Sequence, residues 1–345
     1  MAKISFMTSK NTTSRHFCTW DWDSNTTTTH VSITPPTDWN WGHMAYYDGI
    51  VHIIATKSGE SARLYRYRQN SLEYIDYLTI TGYTMVTLSY QDGRYVYFYA
   101  SSAAYLYRLD LTNASVEVSA SVSAYQYDSS CIPMYVCVLN AYVYAVVAGG
   151  ANTSKIVIFN KSDLSIVRGS AAYLVLSPKC IATDGTKVFV GGTIPMVAWI
   201  YSYAVSDLAP ITSVSTTDNN HQVDGIMCLH GYVWSIGYGG RLIRCTVDLG
   251  GVTSLISSLG NVTGFLEIPN LYPNYYFFKG WNYLQYFQAI VINADGTASV
   301  VKGLYVAQWT NGIIIMTPEW VDAPTYDLAG TLDGTDVDLT WEEVV

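Results

Sequence analysis

The alternation of apolar and polar residues between His43 and Leu78 predicts four short β-strands. The first two strands meet at the Asp48-Gly49 turn, and two more follow between Arg63 and Tyr77. Asp-Gly between β-rich segments is a strong hairpin signal, because both central residues must tolerate positive φ. A four-stranded unit of this size cannot bury both of its faces alone, so it needs neighbours of the same kind.

The rest of the chain repeats this unit. The turn of the first hairpin recurs every 38 to 48 residues, as Gln91-Asp92-Gly93, Asn140-Ala141, Asp184-Gly185, His230-Gly231, Tyr272-Pro273-Asn274 and Asn311-Gly312. The turn of the second hairpin recurs in phase, at Thr112-Asn113, Lys161-Ser162-Asp163, Ser206-Asp207, 248–251 and Ala294-Asp295-Gly296. Four-stranded units at this period are typical of β-propeller blades. The sequence therefore predicts an all-β fold, a seven-bladed β-propeller.

The two ends of the repeat each match half a blade. Residues 14–34 match the second hairpin of a blade, and residues 303–317 match a first hairpin. Pairing of these N- and C-terminal half-blades would close the ring and leave no free edge. We therefore expect a propeller domain over residues 1–317 in which the seventh blade is shared by the two ends.

The composition changes after Pro318. Residues 318–345 contain eight acidic residues and no Lys or Arg, which leaves −1 of the net charge of −9 for the rest of the chain. The pattern of 323–342 resembles the first two strands of a fibronectin type III domain, and this resemblance implies a core role for Trp341. A two-stranded fragment is not stable alone, so we expect this acidic tail to dock on the propeller or on a neighbouring subunit. The expected docking residues are Tyr326, Leu328, Leu332, Val337, Leu339 and Trp341.

Paired glycines mark three of the predicted blades. Gly149-Gly150 precedes the strand Lys155–Phe159, Gly191-Gly192 precedes Trp199–Tyr203, and Gly239-Gly240 is a weaker instance. These blades resemble those of kelch-type propellers. The Trp-Asp dipeptide of WD-repeat blades is missing from the expected end of the third strand, which disfavours that family.

Aromatic residues are abundant, with 30 Tyr and 10 Trp against 18 Lys and Arg. In a propeller, the loops that join blades and those that join second to third strands lie on one face. The candidate ligand-binding residues on that face are Trp39, Trp41, Tyr83, Tyr125, Tyr127, His221, Trp281 and Tyr283, and Tyr173 is a further aromatic residue there. Such rings stack on sugars or pack on a partner, and they also pack between blades. The sequence leaves both roles open.

Motifs for catalysis are missing. The six His form no His-x-x-x-His pair, and neither a Gly-x-Ser-x-Gly turn nor a phosphate-binding loop occurs. Cys137, Cys180 and Cys228 fall in predicted first strands near the channel, where small buried side chains are favoured over a metal site. We expect no catalytic residue, cofactor or metal. A channel-centred hydrolase would depend on Glu267, flanked by Asp48 and Asp224.

The remaining composition excludes several partners. Eighteen basic residues without a basic stripe argue against nucleic acid, no apolar run is long enough to span a bilayer, and the N-terminus lacks the apolar core of a secretory signal. A Tyr- and Trp-rich surface without an export signal suits a virion protein, which is made in the cytoplasm and works outside the cell. We therefore expect a non-enzymatic structural or attachment protein of a phage-like virion that contacts other virion proteins through its tail and binds cell-surface glycans. The alternatives are a carbohydrate-binding lectin and a propeller glycoside hydrolase.

Overall fold

The computed structural model describes the backbone of residues 2–9, 15–21, 24, 26–33, 39–68, 73–83, 87–99, 104–149, 151–194, 197–216, 223–237, 241–256, 262–267, 275–280, 286–305, 317–320, 326–333 and 336–343. Side chains are described for 24, 39, 45–68, 73–83, 89–99, 104–149, 151–194, 197–216, 223–237, 241–256 and 290–300. Apart from one 3-10 helix, Ser123–Tyr125, the elements in these ranges are β-strands.

The strands in chain order are β1 Ala2–Ser9, β2 Arg15–Asp21, β3 Thr26–Ile33, β4 Asn40–Tyr47, β5 Ile50–Lys57, β6 Glu60–Arg68, β7 Tyr74–Ile80, β8 Thr87–Asp92, β9 Tyr95–Tyr99, β10 Tyr107–Asp110, β11 Val116–Val118, β12 Ile132–Leu139, β13 Tyr142–Ala148, β14 Lys155–Asn160, β15 Ile166–Gly169, β16 Ser177–Thr183, β17 Lys187–Ile194, β18 Val197–Ala204, β19 Pro210–Ser215, β20 Gly225–Leu229, β21 Tyr232–Ile236, β22 Leu242–Thr246, β23 Thr253–Ile256, β24 Val262–Glu267, β25 Tyr275–Gly280, β26 Tyr286–Ile292, β27 Ala298–Tyr305, β28 Thr317–Trp320, β29 Tyr326–Asp333 and β30 Asp336–Glu343.

The described strands form seven four-stranded antiparallel sheets and one separate hairpin. Blades 1 to 6 are β4–β7, β8–β11, β12–β15, β16–β19, β20–β23 and β24–β27, and the shared blade has the order β28-β1-β2-β3. From β4 to β24, the first strands of consecutive blades contact each other, as expected when first strands surround a common axis. The all-β propeller prediction is confirmed, and the seven sheets agree with the predicted number of blades.

The two ends of the chain pair to form the shared blade, as expected, but they do not contribute two strands each. The N-terminal region contributes three strands, and β28 pairs with β1 through Ala2 opposite Trp320 and Ser5 opposite Thr317. Residues 303–305 belong instead to β27, the outer strand of blade 6, where Leu304 lies opposite Phe287. The described closing strand from the C-terminal end is therefore 317–320, which shares residue 317 with the expected half-blade 303–317. Residues 306–316 of that half-blade lie outside the described residues.

The predicted turns are found wherever the structure describes them. Asp48 and Gly49 have φ of 50° and 71°, and His230 and Gly231 have φ of 52° and 77°, as two-residue hairpins require. The turns between third and fourth strands place a residue of positive φ at one equivalent position, namely Ala114, Leu164, Leu208, Leu249 and Gly296. The predicted turns at 272–274 and 311–312 lie outside the described residues.

The core lies between blades rather than inside one sheet. In β13, Tyr144, Val146 and Ala148 pack toward blade 4, whereas Val143 and Val147 pack toward blade 2. Both faces of such a strand are buried, so it reads as a nearly continuous apolar run. The neighbouring pairs from blade 1 to blade 6 share clusters of the same kind.

The paired glycines stand where neighbours approach closely. A Cβ on Gly191 would lie 2.4 Å from Cγ1 of Val223, and one on Gly192 would lie 2.1 Å from the carbonyl oxygen of Ser177. Real Cβ atoms do not approach other atoms this closely. The sequence signal therefore reflects packing inside and between blades.

The fourth strand of a blade pairs irregularly with the third. The register shifts by one residue between these strands in blades 1, 3, 4, 5 and 6 and in the shared blade, whereas blade 2 pairs without a shift. Bulges on outer strands discourage pairing with other chains. In blade 1 the shift also determines which side chains of β6 and β7 lie on the same face of the sheet.

Candidate functional site

Two of the predicted aromatic residues meet on the loop face. The rings of Tyr127 and Tyr173 lie 5.9 Å apart at 77°, and both are exposed, Tyr127 by 61% and Tyr173 by 40%. Both residues lie in loops that join consecutive blades, the first between blades 2 and 3 and the second between blades 3 and 4. The Lys155 ammonium lies 4.6 Å from the Tyr173 ring centroid. We call Tyr127 and Tyr173 the loop-face pair; with Lys155 they offer exposed aromatic edges beside one cation.

Three other predicted residues pack into the propeller. Trp39 is only 5% exposed, and the Arg63 guanidinium carbon lies 4.3 Å from its ring centroid. Tyr83 sits edge-on against Phe98, with centroids 5.5 Å apart. Tyr125 packs so tightly that a Cβ on Gly169 would lie 2.0 Å from its ring. Trp39 therefore offers no open stacking face, and Tyr83 and Tyr125 serve mainly as packing between blades.

The other predicted site residues lie wholly or partly outside the described residues. His221, Trp281 and Tyr283 are among the residues that the structure does not describe, and Trp41 is described only as a β4 position paired with Ala55. The tail residues are described as backbone: Tyr326, Leu328 and Leu332 in β29, and Val337, Leu339 and Trp341 in β30. The register places Leu328 opposite Trp341 and Leu332 opposite Val337.

The carboxylates proposed for a hydrolase do not flank one site. Asp48 follows the end of β4, and Asp224 precedes the start of β20. Both strands occupy the first position of their blades, so these residues mark opposite ends of the channel wall. Glu267 is the last residue of β24, and its side chain is not among those described.

The three predicted channel cysteines lie in first strands, as expected. Cys137, Cys180 and Cys228 belong to β12, β16 and β20. Burial raises the pKa of each of these thiols, which disfavours the reactive thiolate. Among the described residues, no group of three or more His, Cys, Asp and Glu could hold a metal ion. No helix in the described part of the chain is long and apolar enough to cross a membrane.

Blade 1 carries an aromatic surface that the sequence did not reveal. It is formed by Arg63, Tyr65, Tyr67, Tyr74 and Tyr77 of β6 and β7, with the buried Trp39 next to Arg63. We call these six residues the tyrosine patch. Tyr65 lies 5.5 Å from Tyr77 and 6.3 Å from Tyr74, and Tyr67 lies 5.6 Å from Tyr74, measured between ring centroids. Tyr74 is 48% and Tyr77 43% exposed, over Tyr65 and Tyr67, which are buried or nearly so.

Charge and burial shape this patch. The Arg63 guanidinium carbon lies 4.4 Å from the Tyr77 ring centroid, and its Nη1 is 3.5 Å from the Tyr65 hydroxyl. Burial raises the pKa of Tyr67 to about 12, and burial also raises the pKa of Tyr74. The hydroxyls of Tyr67 and Tyr74 therefore stay protonated at neutral pH, where they can both donate and accept hydrogen bonds.

Comparison with known proteins supports the fold. No protein-family model matches the chain, and no curated protein is similar to it in sequence. A protein from Lactobacillus plantarum has a similar structure, with 13% identity, a TM-score of 0.62 and coverage of 91% of this chain and 99% of that chain. A chain of the mitotic checkpoint complex is 14% identical with a TM-score of 0.51, covering 77% of this chain and 82% of that one. At such identity these likenesses show that the chain has the β-propeller fold, and no more than the fold.

Proposed function

We propose that this chain is a non-enzymatic attachment or assembly protein of a phage-like virion, and that its C-terminal hairpin docks on a neighbouring subunit. The observation that carries the proposal is the isolation of the hairpin: β29 and β30 form a two-stranded sheet that no other described strand joins. A lone two-stranded sheet is at best marginally stable in water. A subunit interface would supply the surface that stabilises it.

The register of the hairpin supports docking by one side. Leu328 is opposite Trp341 and Leu332 is opposite Val337, whereas Asp327 is opposite Glu342. Because strand positions alternate between faces, the apolar positions share one face of the ladder and most of the acidic positions share the other. An apolar face beside a charged one suits an interface with a polar rim.

The virion setting rests on composition. The chain combines 30 Tyr and 10 Trp with only 18 Lys and Arg, a balance that suits binding surfaces. Assembly into a virion and attachment to a cell both need such binding surfaces. The proposed location is therefore the virion, and the proposed partners are the other virion proteins.

Truncation tests the proposal, because the hairpin can be removed without opening the ring. A chain ending at residue 325 keeps β28, which pairs with β1, and should retain the far-UV circular dichroism and melting temperature of the propeller. It should no longer co-purify with the virion proteins encoded beside it when these are co-expressed. Co-purification equal to that of the full chain would contradict the docking role.

Two substitutions on opposite faces of the hairpin refine the test. Leu339→Asp changes a position of the apolar face, and Thr340→Asp changes the next residue, on the acidic face. We expect the first to abolish co-purification and the second to leave it largely unchanged. Equal losses would indicate that unfolding of the hairpin, rather than its apolar face, determines the result.

Carbohydrate binding is the second candidate, and the exposed loop-face pair favours it. Aromatic rings with a neighbouring cation offer both stacking and hydrogen bonding to a sugar. Glycan-array screening of the wild type, Tyr127→Ala and Tyr173→Ala would test this site, with exposed Tyr142→Ala as the matched control. Signals that survive both loop-face substitutions would exclude the loop-face pair as the binding site.

A further inference from the structure

The tyrosine patch forms a short aromatic strip along the two outer strands of blade 1. Tyr74 lies opposite Tyr67, and Tyr77 lies opposite Tyr65, in the β6–β7 ladder. Strict alternation would place Tyr74 and Tyr77, three residues apart, on opposite faces. The register shift between Arg66 and Tyr67 inserts one extra residue and returns both rings to the same face.

The strip is held rigid by its own contacts. Arg63 lies within 4.3 Å of the Trp39 ring centroid and 4.4 Å of the Tyr77 ring centroid, and Tyr65 contacts both exposed rings. Rings fixed in this way lose little conformational entropy when a ligand covers them. Tyr74 and Tyr77 are separated by roughly 10 Å of extended strand, which is the length scale of a disaccharide.

Charged groups flank both ends of the strip. At one end Lys57 and Arg63 both face Glu60, at 2.6 Å and 3.7 Å. At the other end Arg68 lies 3.5 Å from Glu73. Lys57, Glu60 and Arg63 are partly exposed, and Arg63 lies 4.4 Å from the Tyr77 ring centroid, so this group can reach the hydroxyls of a ligand lying over the rings. Arg68 and Glu73 are each one residue from Tyr67 and Tyr74 and therefore belong to the opposite face of the ladder.

The small size of the strip argues against a protein as its ligand. Tyr74 and Tyr77 are the exposed large apolar side chains among the described residues of blade 1. Two half-exposed rings offer on the order of 200 Å², whereas a standard protein interface buries about 800 Å² on each partner. No exposed aliphatic side chain in the described part of this blade extends the surface.

A sugar whose ring substituents are equatorial matches these features. Such a pyranose presents flat C–H faces, which pack against the negative face of an aromatic ring, and it directs its hydroxyls outward toward flanking charges. We propose that the tyrosine patch binds an extended oligosaccharide of equatorially substituted pyranose units, with Tyr74 and Tyr77 as stacking platforms. This inference rests on carbohydrate binding, the second candidate function, and assigns it to a site different from the loop-face pair.

Calorimetric titration with defined probes tests the site. Cellotetraose and chitotetraose are the extended β-1,4-linked probes, and α-linked, curved maltotetraose is the comparison. We expect at least one of the two extended probes to bind with a Kd of about 1 mM or tighter, and maltotetraose to bind more weakly. Tyr74→Ala and Tyr77→Ala should each weaken binding by about tenfold, whereas Tyr77→Phe should retain most of it.

The controls separate this site from the alternatives. Tyr142→Ala and Tyr105→Ala, both exposed tyrosines outside the patch and outside the loop-face pair, should bind like the wild type, and thermal melts should show every variant folded. The absence of binding by the wild type to either extended probe would overturn the proposal. Loss of binding in Tyr127→Ala but not in Tyr77→Ala would overturn it too and assign the sugar to the loop-face pair. Either result leaves the truncation test of the assembly function unaffected.

Discussion

Arg108 of blade 2 donates a hydrogen bond to the backbone carbonyl of Lys161, which lies in the turn between the third and fourth strands of blade 3. Three more cations reach the equivalent turn of the following blade: Arg168 donates to the carbonyl of Val205, Lys187 to that of Val247 and Arg244 to that of Gly296. Each contact runs in the same direction around the ring. Since no ladder between described strands joins blades 1 to 6 to each other, these bonds add directional contacts to the apolar clusters between blades.

Removing the Arg108 contact should destabilise the propeller more than removing an exposed ion pair. Arg108 is 5% exposed and also donates to Glu117 and to the carbonyl of Ser162. Arg108→Met keeps the apolar stem but leaves these acceptors without their donor, so we expect a loss of about 2–3 kcal/mol in the free energy of unfolding. Urea unfolding followed by tryptophan fluorescence measures it.

Arg68→Met is the matched control for that variant. Arg68 and Glu73 have side chains 66% and 69% exposed and lie 3.5 Å apart, so the change should cost less than about 1 kcal/mol. If both substitutions cost the same, the contact between blades contributes no more than a solvated surface pair.

Alanine at Gly296 should destabilise the propeller more than alanine at Gly59, which has a similar backbone conformation. Its φ is 81°, and a Cβ there would lie 2.3 Å from Arg244 Nη1 and 2.8 Å from the Tyr232 ring. Gly59 has a φ of 79° with nothing within 4 Å of the added atom. Both alanines bear similar backbone strain, and we expect Gly296→Ala to cost about 1–3 kcal/mol more than Gly59→Ala. Equal melting temperatures of the two variants would show that the turn at Gly296 accommodates the added methyl group without loss of stability.

The sequence predicted the blades well because their signals are local. Asp48-Gly49 and His230-Gly231 need positive φ wherever they occur, and the structure shows it. The share of strands in the closing blade was predicted wrongly because it depends on pairing between distant segments. The pattern of residues 298–305 fits either a strand that pairs with β26 or the first strand of a new blade. In the structure these residues pair with β26.

The tyrosine patch was missed for a similar reason. Tyr74 and Tyr77 are three residues apart, and a period of two assigns them to opposite faces. The bulge that brings them together has no signature in the residues near Ile75. The same limit applies to Trp39 and Tyr125, which are aromatic loop residues in sequence but packing residues in the structure.

Gly169 and Tyr125 should be energetically coupled if Tyr125 serves packing. A Cβ on Gly169 would lie 2.0 Å from Cε1 of Tyr125, so Gly169→Ala should displace the ring and cost about 1–3 kcal/mol. In a Tyr125→Ala background the same change should cost little, because the clashing ring is gone. A double-mutant cycle from urea unfolding gives the coupling energy, and a value near zero would contradict the packing role.

His52 should make the propeller sensitive to mild acid. Its ring is 1% exposed, and neither ring nitrogen has a hydrogen-bond partner among the described residues. In the ladder it lies opposite Arg66, which forms an ion pair with Asp76. Burial, and then the charge of Arg66, lower the pKa of His52 from 6.5 to about 4, with Asp76 partly opposing them.

The sign of the effect follows from linkage. Unfolding restores the ordinary His52 pKa of 6.5. Below that pH, His52 therefore binds a proton in the unfolded chain but stays neutral in the folded chain. The stability associated with neutral His52 is therefore complete above pH 6.5 and is lost as the pH falls toward about 4. Between pH 7 and pH 5 the loss should be on the order of 2 kcal/mol.

His52→Gln removes this titration while keeping a polar side chain of similar size. Its unfolding free energy should fall less between pH 7 and pH 5 than that of the wild type, whereas the matched control His230→Asn, at an exposed turn, should keep the acid sensitivity of the wild type. Asp76 does not confound the comparison, because the hydrogen bonds from Arg66 lower its pKa below 3.8, outside this pH range. If the unfolding free energies of His52→Gln and the wild type fall equally between pH 7 and pH 5, other groups cause the acid response. An interaction that forms when His52 is protonated would then offset the cost of its burial.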